Sequence, residues 1–220
     1  MTGYGQYCPI SRTAEVLGDR WTIHIVRDLL TGSSRFNELI RGNPGLSRPL
    51  LSRRLDRLCR DGVVEQADDG SYHLTDAGLE LRSIIFSLAE WGATWTFGDP
   101  DPDELDPDLL LWWIHRQLDA DALPDGRFTV YVDLLDHRKR YWIVVEDEAS
   151  LCLSEPGFDV DVTVRADRAT LYTVYLNRRT LADAHRAGDV ELIGGTSAVR
   201  GFHRAFQPSP VADVVASAGT

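Results

Sequence analysis

Between Gly98 and Asp108 the chain reads Gly-Asp-Pro-Asp-Pro-Asp-Glu-Leu-Asp-Pro-Asp. Proline offers no amide hydrogen and disfavours helix at the residue before it, while adjacent carboxylates repel one another. A regular element cannot run through such a stretch. The 220 residues are therefore expected to fold as two bodies, 1–98 and 109–207. An acidic, proline-rich linker at 99–108 joins them, and a loose tail at 208–220 follows. Each body is long enough for its own core.

Charge divides along the chain as well. The net charge of −11 argues against a polyanion partner only if it is averaged. Residues 1–60 hold ten arginines against five acids, a net of +5, whereas 61–99 carry −7 and 100–220 carry −9. A local basic face decides phosphate contact, and it lies in the first quarter of the sequence.

That quarter is helical in period. Ile10, Ala14 and Leu17 repeat at helical spacing up to Gly18, and Asp19 is placed to cap the next helix, with Trp21, Ile25, Val26 and Leu29 on one stripe. Ser34 is expected to cap a short third helix. Arg41-Gly42-Asn43-Pro44-Gly45 reads as a turn whose Gly and Asn accept positive φ. Ser47 then caps a fourth helix with Leu51, Leu55 and Leu58 inward. Pro49, Ser52, Arg53, Asp56, Arg57 and Arg60 fall on its other face at about 100° per residue. Two short strands with Asp69-Gly70 between them form a hairpin. Thr75 opens a long helix to about Phe97, striped with Leu81, Ile84, Ile85, Leu88 and Trp95, with Trp91 beside them.

Helix, turn, helix and hairpin make a winged helix-turn-helix. A helix fits the major groove, and the outer face of the fourth carries the donors that base edges and phosphates accept. The expected DNA-binding set is Ser47, Arg48, Ser52, Arg53, Arg54 and Arg57 on helix 47–60, Arg35 ahead of it, and Ser71 and His73 in the wing.

Residues 8–97 resemble the HxlR family of bacterial regulators. The resemblance rests on Cys8-Pro9-Ile10, Gly18-Asp19-Arg20-Trp21-Thr22, Arg35-Phe36-Asn37-Glu38-Leu39, Leu51-Ser52-Arg53-Arg54-Leu55 and Tyr72-His73-Leu74-Thr75-Asp76-Ala77-Gly78. It implies a homodimer on a pseudopalindromic duplex operator, held by the first and last helices of the domain. At the wing the chain departs from the family: Glu65-Gln66 and Asp68-Asp69 stand where basic residues are usual. Cys8 matches a position at which several relatives carry a redox-sensing thiol. With no neighbouring resolving cysteine in sequence, Cys8 reads here as a small residue packed at a helix entry, and a redox-sensing regulator is the alternative.

The second body opens on an apolar helix at 109–118. Runs at 127–135, 140–146, 150–153 and 160–165 read as an antiparallel meander, followed by helix, helix, strand and helix. This order resembles a sterol-carrier-protein type domain, with Asp161-Val162-Thr163-Val164 and Gly188-Asp189-Val190-Glu191-Leu192-Ile193-Gly194 as its marks. The expected class is thus α+β, a winged helix-turn-helix followed by an antiparallel sheet plus helices. The resemblance implies an apolar tunnel, for which Trp112, Trp113, Tyr131, Trp142, Phe158, Tyr172 and Tyr175 are the candidate lining.

Enzyme motifs are absent: there is no Gly-x-Ser-x-Gly, Walker loop, His-Glu-x-x-His or paired Cys-x-x-Cys. Neither a cofactor nor a metal is expected. No apolar run reaches the roughly 20 residues of a membrane span, and the N-terminus lacks a signal-peptide pattern, so a cytoplasmic location without membrane insertion is expected. The combined expectation is a homodimeric regulator whose partners are operator DNA, itself and an apolar small molecule. A lipid carrier or hydrolase with an assembly-only first domain is the rival.

Overall fold

A computed structural model describes residues 3–218. The chain forms two compact units that divide between Ala89 and Glu90, about ten residues before the acidic stretch.

In the first unit α1 (Pro9–Leu17), α2 (Thr22–Leu30), α3 (Phe36–Arg41) and α4 (Arg48–Arg60) precede the hairpin β1 (Val64–Gln66) and β2 (Tyr72–Leu74) and the long α5 (Asp76–Trp95), whose last residues belong to the second unit. Pro9 and Pro49 lie in the first turns of α1 and α4, where the helix needs no donor from them. The core gathers Ile25, Val26, Leu39, Leu51, Leu55, Leu58, Val64 and Ile85, so α2 and α4 bury the stripes read from their spacing. Ile10 is an exception: it points to solvent, 79% exposed. Gly78 lets α5 start hard against the wing, because a side chain there would collide with the Val63 carbonyl.

In the second unit a five-stranded sheet has the order β5-β4-β3-β6-β7. Its strands are β3 (Phe128–Leu134), β4 (Tyr141–Val145), β5 (Ala149–Cys152), β6 (Val162–Ala166) and β7 (Glu191–Gly194). The helices are α6 (Pro107–Gln117), α7 (Arg168–Tyr175), α8 (Leu181–Ala187), α9 (Thr196–Ala205) and α10 (Ala212–Ala218). Side-chain caps start three of them: Asp106 for α6, Asp167 for α7 and Thr180 for α8. Phe128, Val130 and Val132 of β3, Tyr141 and Ile143 of β4 and Val162 and Val164 of β6 share one core with Leu110, Leu111, Ile114, Leu171 and Phe202.

Three expectations change. The meander is antiparallel only through β3, β4 and β5. β6 crosses back to pair parallel with β3, Val130 opposite Val162, so the sheet is mixed. A period-2 pattern gives strand faces but not which neighbour a strand chooses. Second, the stretch 99–108 is fastened to the second unit rather than loose. It forms a 3-10 turn at Pro102–Glu104, Leu105 is buried in the core, and Arg168 Nη1 donates to the Leu105 carbonyl at 3.0 Å. Third, the expected tail contains α10, with Ala212 and Val215 buried, and Ser209 N donates to Tyr175 O at 2.8 Å.

Candidate nucleic-acid interface

The pose of α4 is fixed by a buried polar knot beneath the turn before it. Asp28, on α2, is 4% exposed. It accepts from Arg27 Nε at 2.8 Å and from Asn43 Nδ2 at 2.6 Å, while Asn43 Nδ2 also donates to Leu39 O. Arg27 Nη2 reaches Gly42 O. A Cβ on Gly42 would stand 2.5 Å from the Asp28 carboxylate. Gly42 has φ −70°, so the turn needs this glycine for close approach and not for positive φ; of Gly42, Asn43 and Gly45, only Gly45 adopts positive φ. A carboxylate buried among donors is stable where an unpaired one would not be.

The arginines of α4 divide into two groups. Arg53 and Arg48 are exposed. Arg48 lies over the Phe36 ring and donates to Asn37 Oδ1, while Arg53 has no ion pair among the described residues. Ser52 and Ser47 are also exposed, and Ser47 occupies the N-cap position without a side-chain cap bond. Arg54 and Arg57 turn inward. Both lie 3.0 Å from Asp19 Oδ2. Arg54 Nε donates to Arg20 O, and Arg57 Nη2 donates to Glu15 O at 2.6 Å. Their side chains are only 18% and 24% exposed. The phosphate role expected for these two is therefore corrected: they clamp α4 to the α1–α2 connection. Asp19 serves that clamp instead of capping α2, whose N-cap is Trp21 in the left-handed region at φ 78°.

The wing is tied down as well. Arg35 Nη1 donates to Asp69 O and Nη2 to Asp69 Oδ2, each at 2.8 Å. Asp69 Oδ1 accepts from Ser71 N and Ser71 Oγ, and Ser71 Oγ lies 2.7 Å from His73 Nε2. Bonds from Ser71 first, with Arg35 beyond, hold the Asp69 carboxyl down at about 2. Ser71 is buried at 4% exposure, which corrects its expected place at a groove edge; His73 is exposed. Arg35 starts α3 at the N-cap position expected for Ser34, and Glu38 Oε2 accepts from the amides of both.

Two further features stand apart from α4 and the wing. On α5 the stripe splits: Ile85 is buried, while Ile84, Leu88, Trp91 and Trp95 stay exposed on one side of the helix at spacings of 4, 3 and 4. Cys8 occupies the N-cap of α1, half-buried and without a side-chain cap bond, and the nearby backbone N–H groups of Ser11 and Ile10 lower its thiol pKa. Burial raises the pKa of Cys59.

The seven aromatics proposed for a tunnel do not converge. Tyr131 and Trp142 are cross-strand partners 5.2 Å apart, on the face of β3 and β4 opposite Val130 and Ile143. Trp113 stacks on Tyr175 at 6.0 Å against the core. Tyr172 is in that core with its hydroxyl on Asp106 O. Trp112 is buried beside His115, and Phe158 is exposed under the Arg127 guanidinium. The single lining is corrected to packing partners on two sides of a sheet, since residues one apart on a strand face opposite ways.

Known proteins match the first part of the chain. The HxlR-like helix-turn-helix family profile matches residues 16–99. The uncharacterized HTH-type transcriptional regulator YvaP of Bacillus subtilis is 36% identical over 108 residues, 46% of this chain and 96% of YvaP. The corresponding regulator Rv3095 of Mycobacterium tuberculosis is 38% identical over 89 residues, 38% of this chain and 56% of its own length. The chain thus spans about half the length of the mycobacterial relatives. A solved putative transcription factor, PA1607, shares 32% identity with a TM-score of 0.41, covering 46% of this chain and 74% of that one. With 96% of YvaP matched at 36% identity and the family profile spanning residues 16–99, the chain belongs to the HxlR-like helix-turn-helix family.

Proposed function

We propose that the protein is a homodimeric transcriptional regulator that reads a pseudopalindromic duplex operator with α4. In this reading it works in the cytoplasm, and a small apolar or amphipathic molecule in its second unit controls its affinity for DNA. The observation that carries the DNA reading is the outward end of α4. Ser47, Arg48, Ser52 and Arg53 stand exposed there, without a carboxylate partner among the described residues, on a helix held from below by Asp28 and Asp19. The exposed row Ile84, Leu88, Trp91 and Trp95 on α5 supports the dimer, because an apolar stripe of that length is normally covered. The order helix, three-strand meander, strand, two helices, strand, helix supports a sterol-carrier-like second unit.

Titration of a native promoter fragment at several salt concentrations tests the DNA reading. Arg53→Ala is expected to weaken binding and to flatten the log–log salt slope by about one unit. Unchanged affinity and slope at every salt would reject α4 as the reading helix. For the sensor, native mass spectrometry and lipid extraction of the purified protein are followed by DNA titration with any ligand recovered. No ligand, together with no thermal shift across an apolar panel, would reject it.

A second reading rests on Cys8, whose thiol pKa is lowered by two backbone amides at a helix start. If Cys8 is the sensor, mild oxidant changes DNA affinity in the wild type and not in Cys8→Ser.

A further inference from the structure

In the acidic second unit most cations are matched. Arg127 meets Glu146, Lys139 meets Asp108, Arg165 meets Asp133 and Glu191, Arg168 meets Asp136, and Arg179 meets Asp189. Helix α9 is different. It contains no acid, and among the described residues no carboxylate reaches Arg200 or Arg204. Arg204 Nη2 donates to the Ala122 carbonyl at 3.2 Å, which uses one of its five donors.

These arginines border a hollow rather than a convex surface. Ala182 of α8 faces Thr196, Val199, Arg200, His203 and Arg204 across an open pocket of ≈ 700 Å³. The spacings of 3, 4, 7 and 8 from Thr196 put all five on one side of α9. The volume is within the range of small-molecule sites. Val199 and Ala182 give the pocket an apolar wall, and Thr196 adds a hydroxyl. A guanidinium presents a planar fork that fits a carboxylate.

We propose that this pocket binds a small amphipathic carboxylate, its acid group held by Arg200 with Arg204 and its apolar part laid against Val199 and Ala182. As a binding site the proposal stands on the pocket alone; as the control site it rests on the sensor reading above. A neutral lipid would leave both arginines unanswered, and a bare oxyanion would leave the apolar wall wet.

The test is calorimetric titration of the full chain with decanoate, decanol and inorganic phosphate. Decanoate is expected to saturate at one per chain, with decanol and phosphate at least tenfold weaker. Arg200→Gln should weaken decanoate at least tenfold. Ala182→Trp, at an exposed position, sets an indole against the apolar side of the pocket and should weaken decanoate at least tenfold without a change in melting temperature. The proposal is overturned by absent saturation, by decanol or phosphate binding as tightly as decanoate, or by decanoate affinity that both substitutions leave intact. If decanoate binds as expected but leaves DNA affinity unchanged, the pocket stands and the sensor reading falls. If an extracted ligand alters DNA affinity equally in wild type and Arg200→Gln, the pocket is not the control site and the sensor reading stands.

Discussion

Arg53 and Arg57 are four positions apart on one helix and do different work. A helical wheel places both on the outer face of α4, and the sequence reading assigned both to phosphate. The wheel gives the direction of Cβ, but an arginine head can reach back over its own helix toward a carboxylate. Asp19 supplies that carboxylate 38 positions earlier, and no local pattern announces it. Arg57→Ala is therefore expected to act through stability, at a cost of about 1.5–3 kcal/mol for a lost charge-assisted bond set. It would lower the melting temperature and leave the salt slope of any remaining DNA binding unchanged. Arg53→Ala should give the opposite pattern. Gly42 follows the same logic: its role as a turn glycine was legible, whereas its packing on Asp28 was not. Gly42→Ala is expected to destabilise the first unit, read by thermal melting, because the carboxylate it displaces is tied to Asn43 and Arg27.

Among the elements, the wing shows most clearly what sequence alone misses. Its tip is acidic, and Asp68 is an exposed side chain there. Asp69 does something further: it engages the guanidinium of Arg35 through both its carbonyl and its carboxylate. Asp69→Asn is expected to release Arg35, tighten binding of a promoter fragment at low salt and steepen the salt slope by up to about one unit. If affinity and slope are both unchanged, Arg35 does not compete for phosphate. The pair does not depend on pH in the working range. The carboxyl titrates at about 2 in the folded chain, below its ordinary 3.8. Its contribution is present above the ordinary value and is lost as pH falls through about 2. Any change in DNA affinity between pH 5 and 8 therefore belongs to other groups. Helix α5 was legible in type and extent, but its periodicity could not separate the buried Ile85 from the exposed row. Leu88→Arg and Trp91→Ala should each shift the protein toward monomer in light scattering, and weaken operator binding in step with protein concentration.

Across the whole molecule the first unit was legible nearly element by element, because its contacts follow helical period and short turns. The second unit was legible as elements and less so as architecture. Its acidic opening looked like a hinge, since prolines and carboxylates there forbid a long helix. Leu105 lies among them and packs into the core, and Asp106 caps α6. Leu105→Ala should cost about 2–5 kcal/mol, seen as an earlier unfolding transition of the second unit, whereas a true linker would tolerate the change. The aromatics were read as one tunnel lining, but strand alternation divides them between two faces of the sheet, where they pack.

The parallel contact between β3 and β6 also bears on the order in which the chain becomes ordered after synthesis. β3 pairs with β4 and β4 with β5, each with its immediate successor across a short turn, so a growing chain completes these pairs as it emerges. Val130 must wait for Val162, thirty-two positions later, and Val162 in turn needs Gly194 as its other neighbour. Pairings between distant positions carry a loop-closure cost before any contact is gained, and they slow folding. Until β7 has been made, β6 keeps an open edge, and a partly made chain exposes a template for another copy. The second unit is thus most prone to aggregation in the interval before its last strand arrives.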